Sequence, residues 1–192
     1  MSTPVLVGVD VGSSGAKAAA IAPDGKVLAQ GKAEYETLYP KPGWAEQDPE
    51  DWFEGACTAI QFCLKAGDFS AGDVAGITFV GPAHNVALLD GKDSSLRPCM
   101  HWSDLRSIPQ SRRLQEEAGE RIFSISGQPV NPSWTLSQLA WLRANEPDAW
   151  SRLRKILVTK DYVRYRFTGE YVTDPYDATG TQLAELAGAR SL

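Results

Sequence analysis

The sequence predicts an α/β domain with a mixed β-sheet and flanking helices, and three observations lead to this fold class. Short apolar, β-branched segments separated by tight turns open the chain, which is typical of antiparallel strands. Longer segments follow in which apolar residues recur at helical spacing. Further short strands are mixed with these helices, a combination typical of α/β folds. The 192 residues, 43% of them hydrophobic, suffice for one domain with a sizeable core.

Three strands are predicted at the N-terminus. Val5–Val11 is apolar and β-branched, and Lys17–Ala22 and Val27–Glu36 follow it. The turns between them, Gly12–Gly15 and Pro23–Gly25, are short, so these strands form an antiparallel meander. Later strands are predicted at Val74–Val80, which is interpreted as buried, at Asn85–Leu89 and at Ile156–Val158.

The first predicted helix begins at Asp48-Pro49. Asp48 is a typical N-cap residue, and proline is well accepted at the first helical position. Apolar residues then recur on one face, which is expected to pack on the sheet: Trp52, Ala56, Ile60 and Leu64. Further helices are predicted over Arg106–Gly119, Thr135–Asn145 and Asp161–Phe167, the last ending at Gly169, with another beginning within Leu183–Ala189.

Composition and charge argue against several classes of function. The net charge of -5 disfavours a partner bound through a phosphate backbone, such as nucleic acid. No segment approaches the length of a membrane span, and the N-terminus leads directly into a strand without the pattern of a signal peptide. The three cysteines form no Cys-x-x-Cys pair and are interpreted as reduced core residues. A cytoplasmic location is therefore predicted.

The turn from Asp10 to Lys17 has a composition that suits a phosphate group. It is not a Walker A loop, because no Gly-Lys-Ser/Thr triplet follows at the required spacing. Asp10 closes a strand interpreted as buried, where a carboxylate is costly unless it holds a cation or hydrogen bonds. The candidate cofactor-binding residues are Asp10, Gly12, Ser13, Ser14 and Lys17, and Asp10 is the candidate Mg²⁺ ligand. The alternative is an ordinary Asx turn in a β-hairpin.

This strand–turn–strand opening resembles the first phosphate motif of the actin, hexokinase and Hsp70 superfamily, in which the acid helps to hold the Mg²⁺-nucleotide. Later segments resemble FGGY carbohydrate kinases, especially xylulokinase-like members, and they occur in family order: Gly43–Pro49, Gly81–His84, Trp102–Arg106, Leu139–Leu142, Lys160–Tyr162, Thr168–Glu170 and Asp177–Thr181. The resemblance implies an actin/hexokinase-like, ribonuclease H-like domain. It also implies ATP and Mg²⁺ as cofactors, and phosphoryl transfer to a hydroxyl of a pentulose such as xylulose.

The resemblance also implies a sugar contact at His84. Pentulose kinases have the pattern Gly-Gln-Met-His-Gly here, and this sequence keeps Gly81 and His84 but differs at Pro82, Ala83 and Asn85. The identity of the sugar therefore stays open. Glycerol kinases have an Arg-Glu pair at the positions of Ala83 and His84, which disfavours glycerol. In the alternative interpretation, His84 is a structural residue satisfied by the loop backbone.

Trp102 and Asp104 are further candidates, since a sugar needs an aromatic platform and charged hydrogen-bond partners. In the alternative, Asp104 caps the following helix and pairs with Arg106. Trp134 lies in a loop that lines the sugar pocket in the family. The candidate substrate-binding residues are His84, Trp102, Asp104, Ala83 and Trp134. Trp44 either closes over a ligand or packs as a hydrophobic staple, whereas the predicted core tryptophans are Trp52, Trp141 and Trp150.

No catalytic base is identified, because the carboxylate with this role in the family lies beyond residue 192. We therefore expect residues 1–192 to form an incomplete FGGY N-terminal, sugar-binding domain that lacks the nucleotide-binding domain and is inactive alone. The expected partner is a small sugar or polyol, without nucleic acid or membrane, and a homodimer is left open. Two alternatives are a non-catalytic sugar-binding or regulatory module, and a ribonuclease H-like nuclease, which would need clustered carboxylates.

Overall fold

A computed structural model describes residues 4–186 and divides them into two compact units. Within the described residues, unit 1 consists of residues 4–36, Pro49–Pro82 and Thr159–Glu170. Unit 2 consists of Thr37–Asp48, Ala83–Val158 and residues 171–186. Each unit is therefore built from three separated stretches of chain.

The strands are β1 (Val5–Val11), β2 (Gly15–Ile21), β3 (Val27–Glu34), β4 (Glu46–Gln47), β5 (Val74–Val80), β6 (Val86–Leu89), β7 (Cys99–Met100) and β8 (Lys155–Val158). The helices are α1 (Pro49–Ala66), α2 (Ile108–Ser126), α3 (Thr135–Asn145), α4 (Pro147–Arg152), α5 (Thr159–Thr168) and α6 (Pro175–Gly180). Within residues 4–186, no helix is both long and apolar enough to cross a membrane.

Unit 1 is a four-stranded mixed sheet with the strand order β3-β2-β1-β5. The pairs β1–β2 and β2–β3 are antiparallel, which confirms the predicted meander, and β5 runs parallel to β1. Helix α1 packs against β2 and β3, and α5 packs against α1 and β5. The predicted mixed sheet with flanking helices is therefore confirmed.

Side chains alternate between the two faces of this sheet, as the two-residue period of a strand requires. In β1, Val5, Val7, Val9 and Val11 are buried, whereas Asp10 is exposed. The expectation that Asp10 occupies a buried position was therefore wrong, because Asp10 belongs to the other face. Strand β5 was also wrongly predicted as buried: it is an edge strand, and none of its residues is fully buried.

Unit 2 contains two short antiparallel pairs, β4–β7 and β6–β8. All four residues of β6 are buried. The core of this unit is formed by Val86, Leu88, Met100, Leu139, Trp141, Leu142, Ala149 and Val158. Helix α3 has the predicted bounds, and α2 continues beyond the predicted end to Ser126, where Gly127 adopts a left-handed conformation with φ 69°.

Two short helices were not predicted, α4 and α6. The core assignment is confirmed for Trp52 and Trp141 but wrong for Trp150, which is 37% exposed. Of the helix predicted within Leu183–Ala189, residues 183–186 are not helical, and the remainder lies outside the described residues.

Candidate active site

The phosphate turn, defined as residues 10–17, joins β1 to β2 in unit 1. The backbone N–H of Gly12 donates to the Gly15 carbonyl at 2.9 Å and closes the turn. The strand register pairs Asp10 with Lys17, so the carboxylate and the ammonium group leave neighbouring strands at the same level. Both residues are exposed, on the side of the sheet opposite the buried valines.

A trough of about 550 Å³ lies along this exposed side of unit 1. Asp10 and Lys17 both line it, together with Gly8, Val9, Ala18, Ala19, Gln30, Gly31, Lys32, Thr78 and Val80. The other three candidates, Gly12, Ser13 and Ser14, are not among its lining residues. The structure thus brings the acid and the lysine into one concave surface, with the turn closing the hairpin that carries them.

Gly15 is required by the shape of the turn. Its φ is +153°, and a Cβ atom there would lie 2.3 Å from the Ala33 carbonyl oxygen, closer than nonbonded atoms can approach. A Cβ on Gly12 would lie 3.3 Å from the Gly15 carbonyl oxygen, which is also tight. Both glycines therefore allow a close backbone approach that other residues would oppose.

Asp10 offers a single carboxylate to a cation. Among residues 4–186, no group of three or more His, Cys, Asp or Glu side chains could form a metal site. Mg²⁺ is commonly held by one or two carboxylates together with water and phosphate oxygens, rather than by a cage of protein ligands. The exposed Asp10 fits that pattern, and a nucleotide phosphate would have to supply most of the other ligands.

In unit 2, His84 and Trp134 form a stacked pair. Their ring centroids are 4.7 Å apart and their planes are inclined by 13°. Trp134 is the N-cap residue of α3, whereas His84 lies in the loop before β6. The structure therefore joins two predicted substrate-binding residues that are far apart in sequence.

The surroundings of His84 favour a neutral imidazole. Burial lowers the pKa of His84 below its ordinary value of 6.5, while a hydrogen bond with the backbone of Gly180 partly opposes this. Its Nδ1 atom is buried without a hydrogen-bond partner. A neutral imidazole with an unsatisfied nitrogen can exchange hydrogen bonds with a hydroxyl group.

Trp102 is connected to the same region through its backbone. Its N–H donates to the side-chain oxygen of Asn85 at 2.7 Å, and Asn85 directly follows His84. Trp102 is 49% exposed, so it is accessible to a ligand. Ala83 is half-buried and precedes His84 in the same loop.

Asp104 lies instead in a buried ionic cluster. It accepts from Arg106 Nε at 2.9 Å and Nη2 at 2.7 Å, and from the Ala45 backbone N–H at 2.6 Å. Its side chain and that of Arg106 are 0% and 1% exposed. This geometry favours the alternative in which Asp104 pairs with Arg106, although it gives no side-chain cap to α2, whose N-cap residue is Ser107.

Trp44 belongs to the same cluster. The Arg106 guanidinium lies 3.6 Å from the centre of the Trp44 ring and also pairs with Glu46 at 2.8 Å. Trp44 contacts Trp141 edge to face, with ring centroids 5.5 Å apart. Of the two interpretations, packing is therefore the one that the contacts of Trp44 favour.

Gln138 is a polar residue of this region that the sequence did not reveal. It is 1% exposed, and its Nε2 donates to the carbonyls of Met100 at 3.1 Å and Ser133 at 3.0 Å. These carbonyls belong to the segments that carry Trp102 and Trp134. Its position on α3 had no local signal, since glutamine at a helix position usually indicates an exposed face.

The model of the FGGY family of carbohydrate kinases, N-terminal domain, matches residues 5–189 of this chain. The chain belongs to the FGGY family of carbohydrate kinases. The predicted family and fold are therefore confirmed.

Curated relatives of this FGGY chain include the xylulose kinase of Bacillus subtilis, 33% identical over 94% of the chain, and that of Streptomyces rubiginosus, 35% identical over 93%. The chain spans only 36% of the length of each.

Solved structures of carbohydrate kinases also match this chain. A xyloylose kinase from Brucella ovis has a TM-score of 0.88 and 36% identity, covering 93% of this chain and 37% of its own. A gluconate kinase from Lactobacillus acidophilus has a TM-score of 0.87 and 26% identity, covering 96% and 37%. Proteins described by different sugar substrates thus share this fold, which agrees with the prediction that the sugar stays open.

Proposed function

We propose that this chain is the sugar-binding, N-terminal part of an ATP-dependent kinase that phosphorylates a hydroxyl group of a pentulose, with xylulose the first candidate. The observation that carries the proposal is the match of almost the whole chain to proteins named xylulose kinase. The catalytic base and most of the nucleotide site belong, in this proposal, to residues outside these 192. The three cysteines of the chain all lie in the described residues and are free thiols, which suits a cytoplasmic enzyme.

On the phosphate side, Asp10 would hold Mg²⁺ and the phosphate turn would contact nucleotide phosphates. Bound Mg²⁺ supplies charge neutralisation on the phosphate oxygens during transfer. Lys17 stands beside Asp10 in the strand register and adds a positive charge to the same trough. Phosphoryl transfer depends mainly on such positioning and charge stabilisation.

On the sugar side, the aromatic pair His84–Trp134 would supply an apolar surface and a hydrogen-bonding nitrogen. Trp102, a half-exposed residue, would supply a second aromatic platform. Asp104 has no sugar contact in this proposal, because its two carboxylate oxygens accept hydrogen bonds from Arg106 and Ala45. Ala83 lies in the loop that carries His84, and its small side chain would leave room for the sugar.

Thermal denaturation of the 192-residue chain with a panel of ligands tests the sugar assignment. Xylulose at a hundredfold excess over its dissociation constant should stabilise the folded chain by about 2.7 kcal/mol. Gluconate and glycerol are the comparison ligands. The variant His84→Ala should lose the stabilisation by xylulose. Equal shifts with all three ligands, or an unaltered response in His84→Ala, would contradict the assignment.

Replacing Asp10 by Ala separates the phosphate role from the sugar role. In the full-length enzyme, Asp10→Ala should abolish xylulose-dependent ATP consumption, because the Mg²⁺ ligand is lost. Sugar affinity should change less than about twofold, since Asp10 contacts no sugar in this proposal. An equal loss of both quantities would argue against the role given to Asp10. Sugar binding with no turnover in the unmodified enzyme would favour the non-catalytic module.

A further inference from the structure

Tyr35, the residue immediately after β3, makes two hydrogen bonds to the phosphate turn. Its hydroxyl donates to the Gly12 carbonyl at 2.6 Å. Its backbone N–H donates to the Ser14 carbonyl at 3.3 Å. One residue therefore fixes two carbonyl groups of a turn that precedes it by more than twenty positions.

Fixing these carbonyls also fixes the amide groups of the turn. A peptide bond is planar and trans, and within residues 4–186 there is no cis peptide bond. The N–H of Ser13 shares its plane with the Gly12 carbonyl and points in the opposite direction. The N–H of Gly15 has the same relation to the Ser14 carbonyl. The hydrogen bonds of Tyr35 thus set the direction of two amides in the segment between Asp10 and Lys17.

Helix α1 is shaped to admit the Tyr35 ring. A Cβ atom at Gly55 would lie 2.8 Å from Cδ1 and 2.9 Å from Cε1 of that ring. Glycine in the middle of a helix is unfavourable relative to alanine. The glycine at this position is explained by the ring that packs directly against it. The ring is therefore confined between the helix and the turn.

The hydroxyl of Tyr35 is kept as a hydrogen-bond donor. Burial raises the pKa of Tyr35 well above its ordinary value, and the negative charges of Asp10 and Asp51 add to this effect. A protonated phenol can donate to a carbonyl, whereas a phenolate can only accept. The hydrogen bond to Gly12 therefore persists throughout the neutral and mildly alkaline range.

We propose that Tyr35 is a positioning residue for the phosphate turn: by holding the carbonyls of Gly12 and Ser14, it directs the Ser13 and Gly15 amides toward an anionic ligand. This role rests on the proposed function, because it assumes that the turn receives phosphate groups. Tyr35 itself does not touch the ligand. Its effect is to fix the turn in its binding geometry before the ligand arrives, which reduces the conformational entropy lost on binding.

The test compares the ¹⁵N-labelled 192-residue chain with its Tyr35→Phe variant, which keeps the ring and removes the hydroxyl. Without ligand, the amide order parameters of Ser13 and Gly15 should fall from a rigid value of about 0.85 to below about 0.6. In the full-length enzyme, which in the proposed function contains the rest of the nucleotide site, the Mg²⁺-ATP affinity reported by these two amides should weaken by about 3- to 10-fold in Tyr35→Phe, as expected for one lost neutral hydrogen bond.

Two further variants complete the design. Gly55→Ala keeps the hydroxyl but displaces the ring, so it should loosen the same two amides as Tyr35→Phe. Tyr39→Phe removes a hydroxyl from a tyrosine that is 72% exposed and should leave both readouts unchanged. Unfolding curves of all variants establish that a loss of order at the turn is local and does not reflect global unfolding.

The outcomes separate this role from the proposed function. Rigid Ser13 and Gly15 amides and unchanged ATP affinity in Tyr35→Phe would overturn the positioning role while leaving the phosphate site intact. If the Ser13 and Gly15 amides of the wild-type full-length enzyme do not respond to Mg²⁺-ATP, the phosphate function of the turn fails, and the positioning role fails with it. Loosened amides together with weaker ATP binding, in both Tyr35→Phe and Gly55→Ala, would support the role.

Discussion

Asp104 shows how strongly the surroundings of a residue determine its use. An aspartate two residues after a tryptophan suits a sugar site, but the carboxylate of Asp104 is buried between Arg106 and the backbone of Ala45. A charge with this much burial is tolerated only with good partners. The contacts therefore favour a structural role, in which Asp104 ties the segment around Ala45 to the segment that follows β7.

We predict that Asp104→Asn lowers the free energy of unfolding by about 3 kcal/mol, because the variant removes the more buried of the two carboxylates that pair with Arg106 and leaves Glu46 as its remaining partner. Urea denaturation measures this change. Glu117→Gln is the control, since the Arg113–Glu117 pair is exposed and should contribute only about 0.3–0.5 kcal/mol. A stable Asp104→Asn protein that no longer binds xylulose would restore Asp104 as a sugar contact.

Asp10 illustrates a signal that was available in the sequence. The alternation of valines at 5, 7, 9 and 11 with other residues indicates one buried face and one different face. Asp10 is on the second face, so its exposure follows from the two-residue period alone. An exposed carboxylate beside Lys17 is accessible to a hydrated cation without the cost of burying a charge.

At the scale of secondary-structure elements, the contact between α1 and β3 depends on glycine. A Cβ atom at Gly31 would lie 2.2 Å from the Ala59 carbonyl oxygen and 2.4 Å from the Cys63 backbone nitrogen. Both atoms belong to the backbone of α1, so a rotation of a side chain cannot relieve the overlap. The close packing of α1 on the sheet is thus possible because position 31 lacks a side chain.

We predict that Gly31→Ala destabilises the protein by about 1–3 kcal/mol or more, since α1 must move away from β3. Gly8→Ala is the matched control, because it adds a methyl group to the same sheet at a position with no atom within 4 Å. Thermal unfolding of the two variants gives the comparison. Equal melting temperatures would show that α1 yields without cost and would contradict the importance of this contact.

The two helices that were not predicted differ in how visible they are. Helix α6 begins at Pro175 after Asp174, whose side chain accepts from the N–H groups of Tyr176 and Asp177. This is the same Asp-Pro pattern that predicted α1, so the local signal for α6 was present. Helix α4 begins at Pro147 without a side-chain cap, and it contains few apolar residues. Its formation depends on packing, since Ala149 belongs to the core of unit 2.

At the scale of the whole molecule, both histidines favour the neutral form. Burial lowers the pKa of His84, and it also lowers that of His101, where the nearby charge of Asp104 partly opposes the effect. The unfolded chain then binds more protons than the folded chain once the pH falls below the ordinary value of 6.5. The contribution of the two histidines to the free energy of unfolding is therefore fully present above pH 6.5. It decreases as the pH falls toward the two lowered pKa values.

We predict that the free energy of unfolding falls as the pH is lowered from above to below 6.5, and that the fall is smaller in the double variant His84→Gln, His101→Gln. Urea denaturation at a series of pH values measures it. The hydrogen bond with Arg166 is the chief cause that lowers the pKa of Glu50. The stability that Glu50 contributes is therefore lost only as the pH falls below the ordinary pKa of 4.5. An identical pH dependence in the double variant would refute the assignment to histidine.

The sequence by itself determined the strand meander, the start of α1, the bounds of α3 and the composition of the phosphate turn. These features depend on residues close together along the chain, through side-chain alternation, capping and turn formation. Only the tertiary structure decided which side chains serve each candidate site. Tyr35 reaches Gly12 across 23 positions, and Asp104 reaches Ala45 across 59. Such partners are selected by packing and by the satisfaction of buried polar groups, which no local pattern encodes.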